Sequence, residues 1–150
     1  MSMTGLDTFD ATVHKTNEWL KELMRCLSWP EKRKAYSALR ATLHALRDRL
    51  TVEEVAQLGA QLPMLIRGFY YEGWDPTAKP LRERKREQFL ARIEQEFRGD
   101  EPIDPEQVAR AVFALLAGRI TEGEIEDVKQ VLPEEIRDLW QPSHVSSSAP

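Results

Sequence analysis

The chain has 150 residues, of which 41% are hydrophobic and 31% are charged, and its formal net charge is −4. This length and composition predict one globular domain with its own core and argue against a disordered chain. The acidic balance argues against a dedicated nucleic-acid binder, and no apolar run approaches the roughly 18 residues that a membrane-spanning helix needs.

The N-terminus contains neither the basic nor the apolar region of a signal peptide, so we expect a cytoplasmic protein. Residues 1–6 are predicted to be disordered. Cys26 is the only cysteine, so no intramolecular disulfide and no cysteine metal cluster is expected. It lies next to an apolar stripe and is expected to be a small core residue.

Two helices are predicted before residue 51. Apolar residues of the first recur at three- and four-residue steps along one face, at Phe9, Val13, Leu20, Leu23 and Leu27. The chain restarts at residues 28–31, where Pro30 is suited to the first turn of the next helix. The buried stripe of the second helix contains Tyr36, Leu39, Leu43, Leu46 and Leu50. No segment alternates between apolar and polar residues over the length of a strand, so no sheet is expected.

Helix starts and stops are also readable. Residues 51–54 and 121–124 both have the capping-box pattern, in which the Thr hydroxyl and a Glu carboxylate each accept a hydrogen bond from a free amide. Pro63 and Pro133 follow, and each removes an amide donor and clashes with the preceding turn. We predict a helix break before each proline, although one kinked helix would fit the same pattern.

The chain repeats itself with an offset of seventy residues. Residues 40–70 and 110–140 align without a gap, and ten of the thirty-one pairs are identical, against about two expected by chance. The repeat predicts an all-α helical bundle, built from two tandem, sequence-related units of three to four helices each.

We therefore expect a single all-α domain over residues 8–140. Its two units are 8–71 and 81–140, and the proline-containing segment 72–80 is the linker between them. The tail, 141–150, is predicted to be disordered.

The chain resembles the bacterial family called domain of unknown function 2267 in two strings, LRATLHALRDRLTVEEVAQLGAQLPMLIRGFYYEGW (39–74) and EIEDVKQVLPEEIRDLW (124–140). The likeness extends from about His14 to Trp140, and the LGAQLP and RGFYYEGW parts are quite specific. The resemblance implies a helical fold and a bacterial source. It brings no catalytic residues to this chain.

The repeat also separates architectural positions from candidate functional ones, because only the architecture is shared by both units. Arg67 recurs as Arg137, and we expect both to bond helix-terminal carbonyls. Polar or aromatic residues without an equivalent are better candidates for a binding site: His44, Asp48, Gln61, Tyr71 and Trp74.

Arg40, His44 and Arg47 share one face of the second helix, and with Asp48 and Gln61 they could line a polar pocket. This face either binds an anion or is simply solvated. No Ser or Cys is evidently paired with His44, so we predict no catalytic residues and lean towards a protein that is not an enzyme. The histidines are far apart and no phosphate loop is present, so neither a metal nor a cofactor is expected.

Tyr70, Tyr71 and Trp74 place three large rings within five residues. They either cover the contact between the units or form, with Arg67, a patch for a partner, since Tyr, Trp and Arg dominate binding hot spots. The basic run at 79–86 is interleaved with glutamates and favours a solvated helix face over a nucleic-acid site, which is the weaker alternative for this run.

Charge is unequally shared between the units. Residues 15–70 carry ten basic and six acidic side chains, whereas residues 85–140 carry eight and fourteen, giving +4 and −6. The halves could dock within one chain or between chains. We favour a non-catalytic helical interaction module that binds a protein partner or itself. The alternative is a small enzyme or ligand-binding protein with a polar pocket around His44 and Gln61.

Overall fold

The computed structural model describes residues 2–99 and 101–141, and every regular element in these residues is a helix. The N-terminal half contains α1 (Asp7–Leu27), α2 (Lys32–Arg47), α3 (Val52–Gln61) and α4 (Met64–Tyr71). The C-terminal half contains α5 (Arg86–Gln95), α6 (Pro105–Arg119), α7 (Glu122–Val131) and α8 (Glu134–Arg137), followed by a 3₁₀ turn, Asp138–Trp140. The predicted all-α class is confirmed.

Helices α2 and α6 form the centre of the bundle. They pack against each other, and each is also covered by the first helix of the other half, since α1 lies against α6 and α5 lies against α2. Within the N-terminal half, α4 packs on α1, α2 and α3, and helices α3 and α7 join the halves at a separate contact. The core therefore runs through both halves, and its fully buried side chains include Leu39, Leu43, Leu46, Val112, Phe113 and Leu116.

The prolines do break the helical path. Leu62 and Leu132 are extended, with φ near −87° and ψ near 145°, and a separate helix starts after each proline. Arg67 holds the first corner, because its Nε donates to Gly59 O at 2.7 Å and its Nη2 to Leu62 O at 2.8 Å. Arg137 makes the equivalent bonds to the carbonyls of residues 129 and 132, at 3.0 and 2.9 Å. Both arginines bond helix-terminal carbonyls, as predicted.

The two capping boxes are only half formed. Thr51 Oγ1 accepts from Glu54 N at 3.2 Å, and Thr121 Oγ1 accepts from Glu124 N at 3.3 Å, so both helices start where the pattern predicts. The glutamate carboxylates do not return to the threonine amides. The amide of Thr121 instead donates to Gln61 Oε1 at 3.4 Å, which connects the end of α3 to the start of α7.

Replacing Thr51 or Thr121 with Ala should each lower the free energy of unfolding by about 1 kcal/mol, because one amide of the first turn loses its acceptor. Urea denaturation of the two variants measures this loss. Thr51→Ser and Thr121→Ser keep the hydroxyl and should retain most of the stability. Equal stability of the Ala and Ser variants at both positions would contradict the capping role.

Ion pairs join the two halves in both directions. Arg40 of the basic half lies 3.8 Å from Glu96 of the acidic half. Arg119 Nη2 of the acidic half lies 2.7 Å from Glu22 Oε1 of the basic half. These side chains are partly exposed, and such pairs are worth at most about 1 kcal/mol each. Charge asymmetry therefore explains only part of the pairing between the halves.

Several local features differ from expectation. The prediction that Cys26 lies in the core is wrong, since its side chain is exposed one position away from the buried stripe of α1. Residues 2–6 form a bend in which Thr4 Oγ1 donates to Asp10 Oδ1 at 2.7 Å. The irregular segment after α4 continues to residue 85, beyond the predicted linker. Of the predicted tail, residues 142–150 lie outside the described residues.

No helix within the described residues combines the length and hydrophobicity that crossing a membrane requires.

Candidate functional site

The basic residues of α2 bind the C-terminal end of α4. His44 Nε2 lies 2.6 Å from Phe69 O, and Arg47 Nη1 donates to Tyr70 O at 2.8 Å and to Glu72 O at 2.9 Å. Arg40 Nη2 donates to the Glu72 carboxylate at 2.8 Å. The negative end of a helix dipole favours cations at this position. The predicted shared face of α2 therefore exists, and its donors are used inside the chain.

His44 is partly buried. Burial lowers its pKa below the ordinary value, its bond with Phe69 O opposes this shift, and the nearby charges of Arg47 and Arg40 support it. A neutral ring that donates through Nε2 to Phe69 O satisfies this carbonyl without a buried charge. The geometry thus gives His44 a capping role at the end of α4.

Asp48 is a buried anion between two arginines. Its Oδ1 accepts from Arg47 Nε at 2.9 Å, and its Oδ2 lies 3.5 Å from Arg92 Nη2 of α5. The backbone carbonyl of Asp48 also accepts from Leu81 N at 2.8 Å, which holds the segment after α4 against α2. This arrangement is suited to fixing the segment between the halves.

The predicted aromatic cluster is largely inside the N-terminal half. Tyr70 is fully buried, and its hydroxyl donates to Val55 O at 2.8 Å. Its burial raises its pKa above the ordinary value, so the phenol stays protonated. The Tyr71 ring lies against Gly59 of α3, where an added Cβ would come within 2.5 Å of the tyrosine oxygen. The rings of Tyr71 and Trp74 are 5.8 Å apart, and Trp74 Nε1 is buried without a hydrogen-bond partner.

Gln61 and His44 bond different parts of the described chain. Gln61 is exposed at the end of α3 and bonds Thr121 N, while His44 bonds the end of α4. No hydrogen bond among the described residues connects Gln61 with His44.

An apolar groove between α1, α2 and α4 is the surface feature that sequence reasoning missed. It encloses about 770 Å³, and Tyr36 and Phe69 form an edge-to-face pair within its lining, with ring centroids 5.2 Å apart. Three large apolar side chains of the lining are unusually exposed, namely Phe9 at 49%, Met64 at 44% and Leu65 at 43%.

The C-terminal half carries charges where α4 carries apolar side chains. Seventy residues after Met64 and Leu65 stand Glu134 and Glu135, at the start of α8. The Glu135 carboxylate accepts from the backbone amide of residue 86 at 3.0 Å. A helix after the proline thus forms with charged residues at these two positions, so helix formation does not require the apolar side chains of Met64 and Leu65. A comparison of the apolar residues seventy positions apart, and not only of the polar ones, would have singled out Met64 and Leu65 in the sequence.

A second feature is a cluster of three carboxyl groups where α3 meets α7. Side-chain oxygens of Glu54, Glu124 and Asp127 lie within 4.8 Å of one another. Glu54 and Glu124 are each only 7% exposed, whereas Asp127 is exposed. The two glutamates belong to the predicted capping boxes, so the sequence drew attention to both positions. It did not predict that the two side chains lie next to each other.

The composition of this cluster does not identify a metal site. Oxygen donors alone suit hard cations such as Mg²⁺ or Ca²⁺. However, Glu54 and Glu124 lie in the first turns of α3 and α7, where the positive helix ends favour carboxylates and oppose a cation. We therefore identify no metal ligands among the described residues.

Comparison with known proteins agrees with the resemblance in the sequence. A family model described as an uncharacterized conserved protein (DUF2267) matches residues 16–139, which include most of the ordered bundle. None of the curated proteins matches the chain. The match covers α2 to α8, both capping threonines and both helix breaks. The chain therefore belongs to the DUF2267 family.

Proposed function

We propose that this protein is a non-catalytic helical interaction module that binds an apolar segment of a partner protein in the groove between α1, α2 and α4. The observation behind the proposal is the exposure of Phe9, Met64 and Leu65 along one groove. Contiguous apolar surface rimmed by polar residues is typical of binding sites, because leaving it in water costs free energy.

The proposal includes two tandem, sequence-related units, of which the first has become the binding unit. Support comes from the bonds that recur seventy residues apart, such as those of Arg67 and Arg137 to equivalent carbonyls. Equivalent helices also make equivalent contacts, since α1 lies on α6 as α5 lies on α2. With the architecture shared, the apolar lining of the first unit is a difference that the architecture does not demand.

The shape of the groove favours a helical segment. Two helices, α1 and α4, form its walls, and Phe9 and Val13 lie one turn apart on α1. An amphipathic helix places side chains at the same spacing and can alternate with them. The α4 wall of the groove is supported from inside the bundle. Tyr70 is buried beneath it, and His44 and Arg47 hold the end of α4 through hydrogen bonds.

The double substitution Met64→Glu and Leu65→Glu tests the groove and installs the residues found at 134 and 135. We expect unchanged or slightly higher stability, because both glutamates would lie in the first turn of α4, near its positive end. We expect at least tenfold weaker binding to a partner captured with the wild-type chain, measured by calorimetry with the purified partner.

The matched control is Gln57→Glu with Ala60→Glu, which adds the same charge to exposed positions of α3. It should bind the partner like the wild type. Self-association is tested by sedimentation over a range of concentrations, where a dimer lost only in the Met64→Glu and Leu65→Glu variant would identify a second copy as the partner. Equal partner binding by all three proteins would refute the groove as the binding site.

A further inference from the structure

One carboxyl oxygen of Glu54 and one of Glu124 are buried and unsatisfied. In the part of the chain that the structure describes, neither Oε2 atom has a hydrogen-bond partner. Two ionised carboxylates offer only acceptors, so they cannot satisfy each other. A proton on one of them supplies the missing donor, since a protonated carboxyl group has one O–H.

Among the described residues, no Lys, Arg or His side chain forms an ion pair with Glu54 or Glu124. From α7, Glu124 and the exposed Asp127 face Glu54, and from α4 the fully buried Tyr70 lies nearby with its hydroxyl bonded to Val55 O. Ion pairs among the described residues use other carboxylates, such as Asp48 and Glu83. Burying two unpaired negative charges side by side is strongly unfavourable, and such groups take up a proton instead.

We infer that Glu54 and Glu124 share one proton across the contact between α3 and α7, and that loss of this proton weakens the contact. The protonated Glu54 donates to the Glu124 carboxylate, while the positive ends of α3 and α7 stabilise the one remaining negative charge. Helices α3 and α7 belong to different halves, so the contact between the halves is stabilised by this proton and depends on pH.

The direction of the pH dependence follows from the raised affinity for the proton. Burial of Glu54, the hydrogen bond that its proton would donate to Glu124 and the charges of Glu124 and Asp127 raise its pKa from 4.5 to about 8. In the unfolded chain Glu54 loses its proton near its ordinary pKa. The contribution of the pair to folding is therefore fully present below pH 4.5, and it is lost as the pH rises towards 8.

Glu54→Gln and Glu124→Gln each replace the shared proton with an amide donor that does not titrate. Between pH 5 and pH 8, the folding equilibrium constant of the wild type should fall relative to either variant by up to about tenfold per pH unit. Urea denaturation at several pH values measures this ratio. Glu53→Gln is the matched control, because it removes the same charge from an exposed neighbour in the same helix turn and should follow the wild type.

Infrared spectroscopy in D₂O at neutral pD detects the proton directly. The wild type should show the carbonyl band of a protonated carboxyl group, and both Glu54→Gln and Glu124→Gln should remove it. A missing band in the wild type, or a stability ratio that does not change with pH, would overturn the inference. Stabilisation of the wild type by Ca²⁺ or Mg²⁺ at pH 8, absent from the Gln variants, would also overturn it, because a cation would then be the neutralising group.

Discussion

Tyr70→Ala should lower the free energy of unfolding by about 3–5 kcal/mol, as truncation of a large buried aromatic side chain usually does. The Tyr70 side chain is fully buried between α4 and α3, and its ring packs edge-to-face on Tyr71 at 4.9 Å between centroids. Removing the ring leaves a cavity and also leaves Val55 O without the hydroxyl that bonds it at 2.8 Å. Helix α4, which forms one wall of the apolar groove, loses its main anchor.

Tyr70→Phe separates the ring from its hydroxyl. This variant keeps the packing and should lose only about 1 kcal/mol, the usual contribution of one hydrogen bond. Chemical denaturation of both variants provides the measurement, with partner binding as a second readout. A Tyr70→Ala variant as stable as Tyr70→Phe would show that the ring is not the anchor of α4.

Arg47→Ala should lower the free energy of unfolding by about 3–5 kcal/mol, because it breaks a buried ion pair on one side only. The Arg47 side chain is 5% exposed and bonds three oxygens, those of Asp48, Tyr70 and Glu72. After the substitution, Arg92 at 3.5 Å is the one ion-pair partner left to the buried Asp48 carboxylate among the described residues. The two carbonyls at the end of α4 lose their donor as well.

Arg33→Ala is the control for the loss of a positive charge from α2. Arg33 is exposed in the first turn, so this change should alter stability by no more than about 0.5 kcal/mol. Thermal and urea unfolding of the two variants give the comparison. If Arg47→Ala cost as little as Arg33→Ala, the cap on α4 would have no energetic importance and the ends of α4 would be held by packing alone.

Local signals in the sequence were sufficient for most of the helices. Thr51 and Thr121 mark helix starts, and Pro63 and Pro133 mark helix breaks, because each acts on amides within a few residues of itself. The four leucines of the predicted buried stripe, Leu39, Leu43, Leu46 and Leu50, are buried, since their spacing follows the helical repeat. Tyr36, predicted with them, is only partly buried and lines the groove. These signals do not depend on which helices meet in space.

The partners of the side chains could not be read in the same way. The cations of α2 were expected on one face, but their acceptors are carbonyls at the end of α4. No sequence pattern indicates which helix end will accept hydrogen bonds from side chains of another helix. The glutamates at 54 and 124 were expected to return to their own caps. They face each other because α3 packs on α7, which is a contact between residues seventy positions apart.

Exposure was the hardest property to predict. Phe9 continues the apolar stripe of α1, yet it is 49% exposed, because the first turns of α1 extend along the groove and not into the core. Periodicity shows which face of a helix is apolar. It does not show how far along the helix another element covers that face.

The close packing of Tyr71 on Gly59 makes the effect of one substitution depend on the other. Glycine inside a helix is usually about 1 kcal/mol less favourable than alanine, so Gly59→Ala would ordinarily be stabilising. With Tyr71 present, the new methyl group would meet the tyrosine hydroxyl oxygen at 2.5 Å, so Gly59→Ala would lower stability instead of raising it. Positions 59 and 71 therefore show sign epistasis: a lineage that first loses the tyrosine is free to gain the alanine, while the opposite order passes through a less stable intermediate.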